Sequence, residues 1–216
     1  MQSIKPQIIS GFNETVQTIK LAKEKYPEQN HLVSLVFFND GGTRIVHDCA
    51  AVEYIKELGD TDYKPNSATP LFDAMGFSLT GLNAKVKPED KVLVTILTDG
   101  LENASKEYSR ETIKKMVEEL KSKGWVFAFM GANQDVEKVA FSISIENHIL
   151  FGASPKGTIE VFGKENRSRD YAYQKIHYGN ENFGENFFEN GEENENKNKN
   201  EKKDDKKKRG FFNLFK

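Results

Sequence analysis

The chain has 216 residues, 37% hydrophobic and 30% charged, enough for one domain with a core and an additional segment. Its net charge of −2 gives no argument for nucleic acid or acidic substrates. A single cysteine, Cys49, excludes an internal disulfide, and no apolar run approaches the ~20 residues that span a bilayer. Because the N-terminus also lacks the apolar stretch of a signal peptide, we expect a cytoplasmic protein.

Helices and strands are predicted to alternate along residues 1–177, which form one domain. In chain order the pattern predicts a helix over 8–26, strands over 31–38 and 43–50, a helix over 70–86 with Pro70 at its first position, a strand over 92–98, a helix over 109–123, a strand over 125–130, a helix over 135–143, a short strand over 148–153 and a helix over 155–174. The first two strands are expected to form a hairpin. The others are apolar enough for a mostly parallel sheet with helices on both faces, so the predicted fold class is α/β and Rossmann-like.

The C-terminal part of the chain differs in composition. Residues 178–209 are rich in Asn, Glu and Lys, which predicts a disordered linker because such a segment buries too little apolar surface to fold. Residues 210–216 form a short aromatic peptide behind a block of cations. Lys206–Lys216 could bind an anionic membrane surface, which would make the protein peripheral to a membrane, or dock in a protein groove. A solvated charge run is the third interpretation.

The most unusual residue is Asp99, a carboxylate directly after the apolar strand over 92–98. A charge there is costly unless it is paired, and ligands bind at this end of the strands in open α/β sheets. A phosphoryl-transfer nucleophile of the haloacid dehalogenase kind would need a second Asp where Leu101 stands. A dinucleotide site would need more than the one glycine of MGANQDV, residues 130–136. A divalent cation held by hard oxygen ligands, Mg²⁺ or Mn²⁺, suits the residue better.

Two motifs resemble a known family. SATPLFDAM, residues 67–75, and VTILTDGLENAS, residues 94–105, resemble the second and third metal loops of von Willebrand factor A (vWA) domains. GFNETVQTIK, residues 11–20, is similar to the first helix of intracellular vWA domains, and the order of elements fits over residues 1 to 175. The resemblance implies a metal-ion-dependent adhesion site in which Thr69 and Asp99 are metal ligands together with a D-x-S-x-S motif.

The sequence departs from this family at its N-terminus. The family places D-x-S-x-S at the end of a central first strand, directly before the first helix, and the sequence begins at Met1 at the entrance to that helix. Without that strand, its two neighbours in the sheet lack a partner. We favour a start at an internal methionine. A degenerate form that folds around the gap or borrows a strand from another chain, and a decayed copy, are the alternatives.

Five further residues are candidates near the site. Ser67 and Asp73 could support the metal ligands, although Asp73 is equally explained as a solvated residue favoured by the helix dipole. Gly100, Glu102 and Asn103 follow Asp99 on the expected rim, where they either contact a partner or are ordinary loop residues. Thr69 and Asp99 alone would hold Mg²⁺ weakly, because this ion prefers six near-octahedral oxygens.

These observations predict a non-enzymatic protein–protein interaction module. By the resemblance, the open coordination position of the metal captures a carboxylate from a partner protein, and the tail docks or tethers the module. The alternative is a metal-assisted phosphoryl hydrolase at the strand ends around Asp99. Such an enzyme would need more carboxylates around the cation and a general base, and the sequence offers neither at the strand ends.

Overall fold

The computed structural model describes residues 1–66, 68–132, 134–189 and 191, which form an α/β fold. Its elements are α1 (Lys5–Lys25), β1 (Leu32–Asn39), β2 (Gly42–Ala51), α2 (Leu71–Asn83), β3 (Leu93–Thr98), α3 (Arg110–Ser122), β4 (Val126–Gly131), α4 (Gln134–Ser142), β5 (His148–Leu150) and α5 (Pro155–His177). Two short 3₁₀ helices, Gln2–Ile4 and Val52–Tyr54, precede α1 and follow β2. The predicted order of helices and strands is confirmed, with bounds that shift by a few residues.

The helix starts follow local capping chemistry. Ser109 accepts a hydrogen bond from the N–H of Thr112 at the start of α3, and Ser154 accepts one from Gly157 at the start of α5. Such side chains satisfy backbone donors that the first turn leaves without a partner. Pro70 was expected as the first helical residue of α2. Its backbone is not helical (φ −77°, ψ 64°), so it caps the helix and α2 begins one residue later.

The strands form two separate sheets. β1 and β2 are an antiparallel hairpin, as predicted, and β3, β4 and β5 form a parallel sheet in that order. β1 and β3 are edge strands of their sheets and do not pair with each other. The mostly parallel sheet expected from the sequence is therefore divided in two, because no described strand lies between β1 and β3.

Both faces of the parallel sheet are covered by helices. Phe127 and Phe129 of β4 lie in one apolar cluster with residues of α2 and α3, such as Ile113. Ala128 and Met130, which alternate with them along the strand, lie in a second cluster on the opposite face with residues of α1 and α5. This alternation is the period of a strand buried on both faces, and the predicted helix coverage is confirmed.

Helices hold the two sheets side by side. On one face, Val16 and Ile19 of α1 share a cluster with Val33 of β1. On the other face, Phe38 of β1 packs against the cluster that contains Met75 of α2. Because the same helices also cover the parallel sheet, they fix the position of the hairpin without direct pairing between the sheets.

The folded part of the chain extends beyond residue 177, where the sequence placed its boundary. Phe183, Phe187 and Phe188 are only 3%, 2% and 8% exposed and pack in the cluster that contains Met130. The burial of these three side chains stabilises the segment against the domain. The average composition of residues 178–209 is polar and did not indicate it. Residues 190 and 192–209 of the expected linker, and the whole peptide 210–216, lie outside the described residues.

None of the helices in the described ranges combines the length and the apolar character that crossing a bilayer requires. The cytoplasmic location and a peripheral association with membranes remain predictions.

Candidate functional site

Asp99 lies directly after β3 and is paired with the positively charged amino group of Met1. Its carboxylate is 26% exposed and accepts a hydrogen bond from the amino group of Met1, which forms an ion pair with it. Partial burial lowers the pKa of this amino group. The opposite charge compensates the carboxylate at the end of an apolar strand, which is the pairing that its position requires.

Thr69 is brought next to this position from a different loop. A Cβ atom added at Gly100 would lie 2.7 Å from the hydroxyl of Thr69, so the close approach depends on glycine. The backbone of Thr69 is fixed by Asn103, whose side-chain oxygen accepts from the Thr69 N–H at 2.9 Å. In return, the N–H of Asn103 donates to the Thr69 carbonyl at 3.3 Å. The structure thus brings together four of the residues that the sequence singled out.

Glu102 holds the same loops together from inside. Its carboxylate accepts hydrogen bonds from the backbone N–H groups of Phe72, Ala104 and Ser105 and from the Ser105 hydroxyl, at 2.7–2.9 Å. Burial would raise the pKa of Glu102, but these bonds outweigh it and the pKa lies below its usual value. All four bonds join the β3–α3 loop to itself or to the start of α2.

Asp73 has a similar role. Its carboxylate, in the first turn of α2, accepts hydrogen bonds from the backbone N–H groups of Lys106, Glu107 and Tyr108 at 2.8–2.9 Å. Desolvation would raise the pKa of Asp73, and the three backbone donors lower it below its usual value. Asp73 therefore positions the loop after β3, a role that its sequence context did not indicate. Ser67, the other candidate support residue, lies outside the described residues.

The oxygen ligands at this position suit a divalent cation in chemical type, but there are too few of them. A hydroxyl from Thr69 and a carboxylate from Asp99 are hard oxygen ligands of the kind that Mg²⁺ and Mn²⁺ prefer. Within the described ranges, however, no group of three or more His, Cys, Asp or Glu side chains could hold a metal ion. Two protein oxygens leave most of an octahedral shell to water, so these residues alone do not form a complete site.

A cleft of about 540 Å³ separates the two sheets, and Met1, Thr69 and Asp99 contribute to its lining. We call it the inter-sheet cleft. Its sides are residues 32–38, from β1, and 92–99, from β3 and the residues that flank it. Helices α1, α2 and α5, together with residues of β2 and of the connecting loops, supply further parts of the wall. The candidate site is therefore part of a larger cleft between the two sheets.

A buried polar cluster in the inter-sheet cleft was missed by the sequence analysis. Arg169 donates to Glu165 and to the hydroxyl of Thr95, and its remaining terminal nitrogen donates to the hydroxyl of Tyr173. The three α5 residues recur every four positions, which places them on one face of the helix. In the sequence, the recurrence of polar residues at this spacing, on a helix with an apolar face, was the pattern that could have indicated the cluster.

No model of a known protein family matches this chain, and no curated protein matches it. The resemblance to vWA domains therefore depends on the sequence motifs.

Proposed function

We propose that the chain is a non-enzymatic protein–protein interaction module of the vWA-like type, whose binding face is formed by the loops around Thr69 and Asp99. The observation that supports it most is the approach of Thr69, from a separate loop, to Gly100, which directly follows Asp99 at the carboxyl end of β3. The order of helices and strands is also the order that the resemblance implies.

The loops around this face are suited to recognition because their backbones are fixed in advance. The carboxylates of Glu102 and Asp73 together accept seven hydrogen bonds from these loops. Loops that are ordered before binding lose less conformational entropy when a partner docks. Beside Asp99, Leu101 is 43% exposed and Asn103 is exposed, which gives the face an apolar and a polar contact.

A divalent cation is not required for this proposal. If Mg²⁺ or Mn²⁺ binds at Thr69 and Asp99, we expect weak binding, because one hydroxyl and one carboxylate supply few ligands. The identity of the partner protein, and the expectation that Lys206–Lys216 bind a membrane surface or a protein groove, remain predictions.

The decisive experiment compares capture of proteins from a cell extract by the full chain and by two variants with the same loss of charge. Asp99→Asn removes the carboxylate at the proposed face. Glu89→Gln removes an exposed carboxylate in the turn before β3, at the other end of that strand. A partner that Asp99→Asn loses and Glu89→Gln retains would support the proposal. Equal capture by both variants would place the binding face elsewhere.

Mn²⁺ binding to the same proteins, measured by electron paramagnetic resonance, tests the expectation about the cation. We expect a dissociation constant in about the millimolar range for the full chain and weaker binding for Asp99→Asn. Micromolar binding would contradict a site of two protein ligands.

The alternative function, a metal-assisted phosphoryl hydrolase, is tested with p-nitrophenyl phosphate and Mg²⁺. Turnover by the full chain that disappears in Asp99→Asn and persists in Glu89→Gln would favour the enzyme. The described residues place no histidine next to Asp99 that could act as a general base.

A further inference from the structure

The inter-sheet cleft has the form of an empty strand position. Residues 32–38 and residues 92–98 contribute to its lining as consecutive residues, so that it is the backbone edges of β1 and β3 that face it. Among the residues that the structure describes, each strand pairs on one side only, β1 with β2 and β3 with β4. Two facing edges with unpaired N–H and C=O groups can accept hydrogen bonds from one strand placed between them.

Any strand in this position would have to be apolar on both faces. Residues of α2, including Met75 and Leu79, line the cleft on one side, and residues of α1 and α5, including Phe12 and Phe162, line it on the other. The present opening leaves β3 only partly covered: four of its six residues are half-buried, although its sequence is LVTILT. β4, which has a neighbour on each edge, is buried at five of its six residues.

We propose that the C-terminal segment of this chain, residues 210–216, enters the inter-sheet cleft as this strand. Its sequence, GFFNLFK, holds every apolar side chain of residues 192–216. A nearly continuous apolar run is the composition of a strand buried on both faces. The segment has seven residues, which matches the six of β3 and the eight of β1.

The one polar residue within the apolar run also finds a suitable environment. Asn213 stands in the middle of the segment, and the cleft carries the hydroxyl of Thr95 beside Arg169 and Glu165. An amide side chain both donates and accepts, so it can hydrogen-bond to such a cluster.

The linker is long enough for the segment 210–216 to reach the inter-sheet cleft. The described residues end at Gly191, which packs against Ser168, the neighbour of the cleft residue Arg169. Residues 192–210 can extend to roughly 60 Å and have a relaxed end-to-end distance of about 25 Å. A domain of this size is about 30–40 Å across, so the linker allows the segment to enter without strain.

The inserted segment would join the two sheets into one. It requires no cation, so it stands or falls independently of the proposed function.

Hydrogen exchange of the full chain tests the insertion. The double variant Phe212→Asp, Leu214→Asp places two charges in the segment, and Asn198→Asp, Asn200→Asp places the same two charges in the linker. We expect the backbone amides of 33–38 and 93–98 to exchange at least about tenfold faster in the first variant, because buried, bonded amides become exposed. We expect the linker variant to exchange like the unmodified chain. Equal exchange in all three proteins would overturn the proposal.

A photo-crosslinking amino acid at position 212 provides an independent measurement that does not rely on loss of protection. The proposal predicts adducts within one chain, to peptides of β1, β3 or α2. Adducts between two chains, which increase with protein concentration, would show that a second copy supplies the strand and would overturn the intramolecular proposal. Adducts only to other surfaces, or only to lipid when anionic phosphatidylserine vesicles are added, would overturn it as well.

Discussion

Arg169 and Glu165 form an ion pair in the interior of the protein, one turn apart on α5. Their side chains are 11% and 1% exposed, and the Nε of Arg169 lies 3.0 Å from Oε1 of Glu165. Burial would lower the pKa of Arg169, but the nearby Glu165 carboxylate outweighs it and raises the pKa above its ordinary value. The guanidinium is therefore charged at all accessible pH values. The stability of the folded protein depends on the Glu165 carboxylate that compensates this buried charge.

We expect Glu165→Gln and Arg169→Met each to lower the free energy of unfolding by about 3–5 kcal/mol, because each leaves one uncompensated charge in the interior. The double variant Glu165→Met, Arg169→Met should be more stable than either single variant, since it removes both charges. Urea denaturation of the four proteins measures these differences.

The matched control for this pair lies on the same helix. Lys156 and Glu160 have the same spacing, but their side chains are 87% and 61% exposed and their charged atoms are 3.8 Å apart. Glu160→Gln should change the free energy of unfolding by less than ~0.5 kcal/mol. A cost for Glu165→Gln as small as that for Glu160→Gln would contradict the burial of the α5 pair.

Glu102 should make the stability of the protein depend on acid pH. Its pKa is lowered in the folded state, so the stability that it contributes is complete above the unfolded pKa of about 4.3 and is lost as the pH falls through the folded pKa. At neutral pH we expect Glu102→Gln to lower the free energy of unfolding by about 2 kcal/mol, because the charged carboxylate that accepts several hydrogen bonds is lost. Below about pH 4 the difference from the unmodified chain should shrink. Urea denaturation at several pH values measures both effects.

An exposed residue of the same loop serves as the control for Glu102. Glu107→Gln makes the same chemical change on a side chain that faces solvent. We expect it to alter the free energy of unfolding by less than ~0.5 kcal/mol at neutral pH. If the difference between Glu102→Gln and the unmodified chain stayed constant down to acid pH, the ionised carboxylate of Glu102 would not be the acceptor of these four hydrogen bonds.

Much of this fold is predictable from local sequence patterns. Alternating apolar periods identify the helices and strands, because periodicity reports which face of an element is buried. Thr69 and Asp99 could also be selected, because both follow from short motifs at the ends of predicted elements. The approach of the Thr69 hydroxyl to this end of β3 depends on Gly100, which has no side chain in its way, and that contact is visible only in three dimensions.

Other features depend on tertiary contacts that composition hides. Phe183, Phe187 and Phe188 lie in a segment whose average is polar, and their burial follows from packing against the parallel sheet. The four hydrogen bonds to Glu102 come mainly from backbone N–H groups, whose positions no residue pattern records. The division into two sheets, with no described strand between β1 and β3, is a tertiary feature that periodicity alone did not predict.

Two glycines of α2 should respond in opposite directions to the same substitution. A Cβ atom at Gly76 would lie 2.3 Å from the ring of Tyr108, which packs against the core. At Gly81 a Cβ atom would meet nothing within 4 Å. We expect Gly76→Ala to destabilise by about 1–3 kcal/mol through overpacking, and Gly81→Ala to stabilise by about 0.5–1 kcal/mol through helix propensity.

Thermal and urea denaturation of the two variants measure this contrast, and Gly76→Ala with Tyr108→Leu separates its causes. The smaller, non-aromatic side chain relieves the overlap, so the Gly76→Ala substitution should cost less in the Tyr108→Leu background than in the unmodified chain. Because both glycines lie in the same helix, a difference in sign between them cannot come from helix propensity, which is favourable to alanine at each position. A stabilising Gly76→Ala would contradict the close packing of the Tyr108 ring on α2 at Gly76.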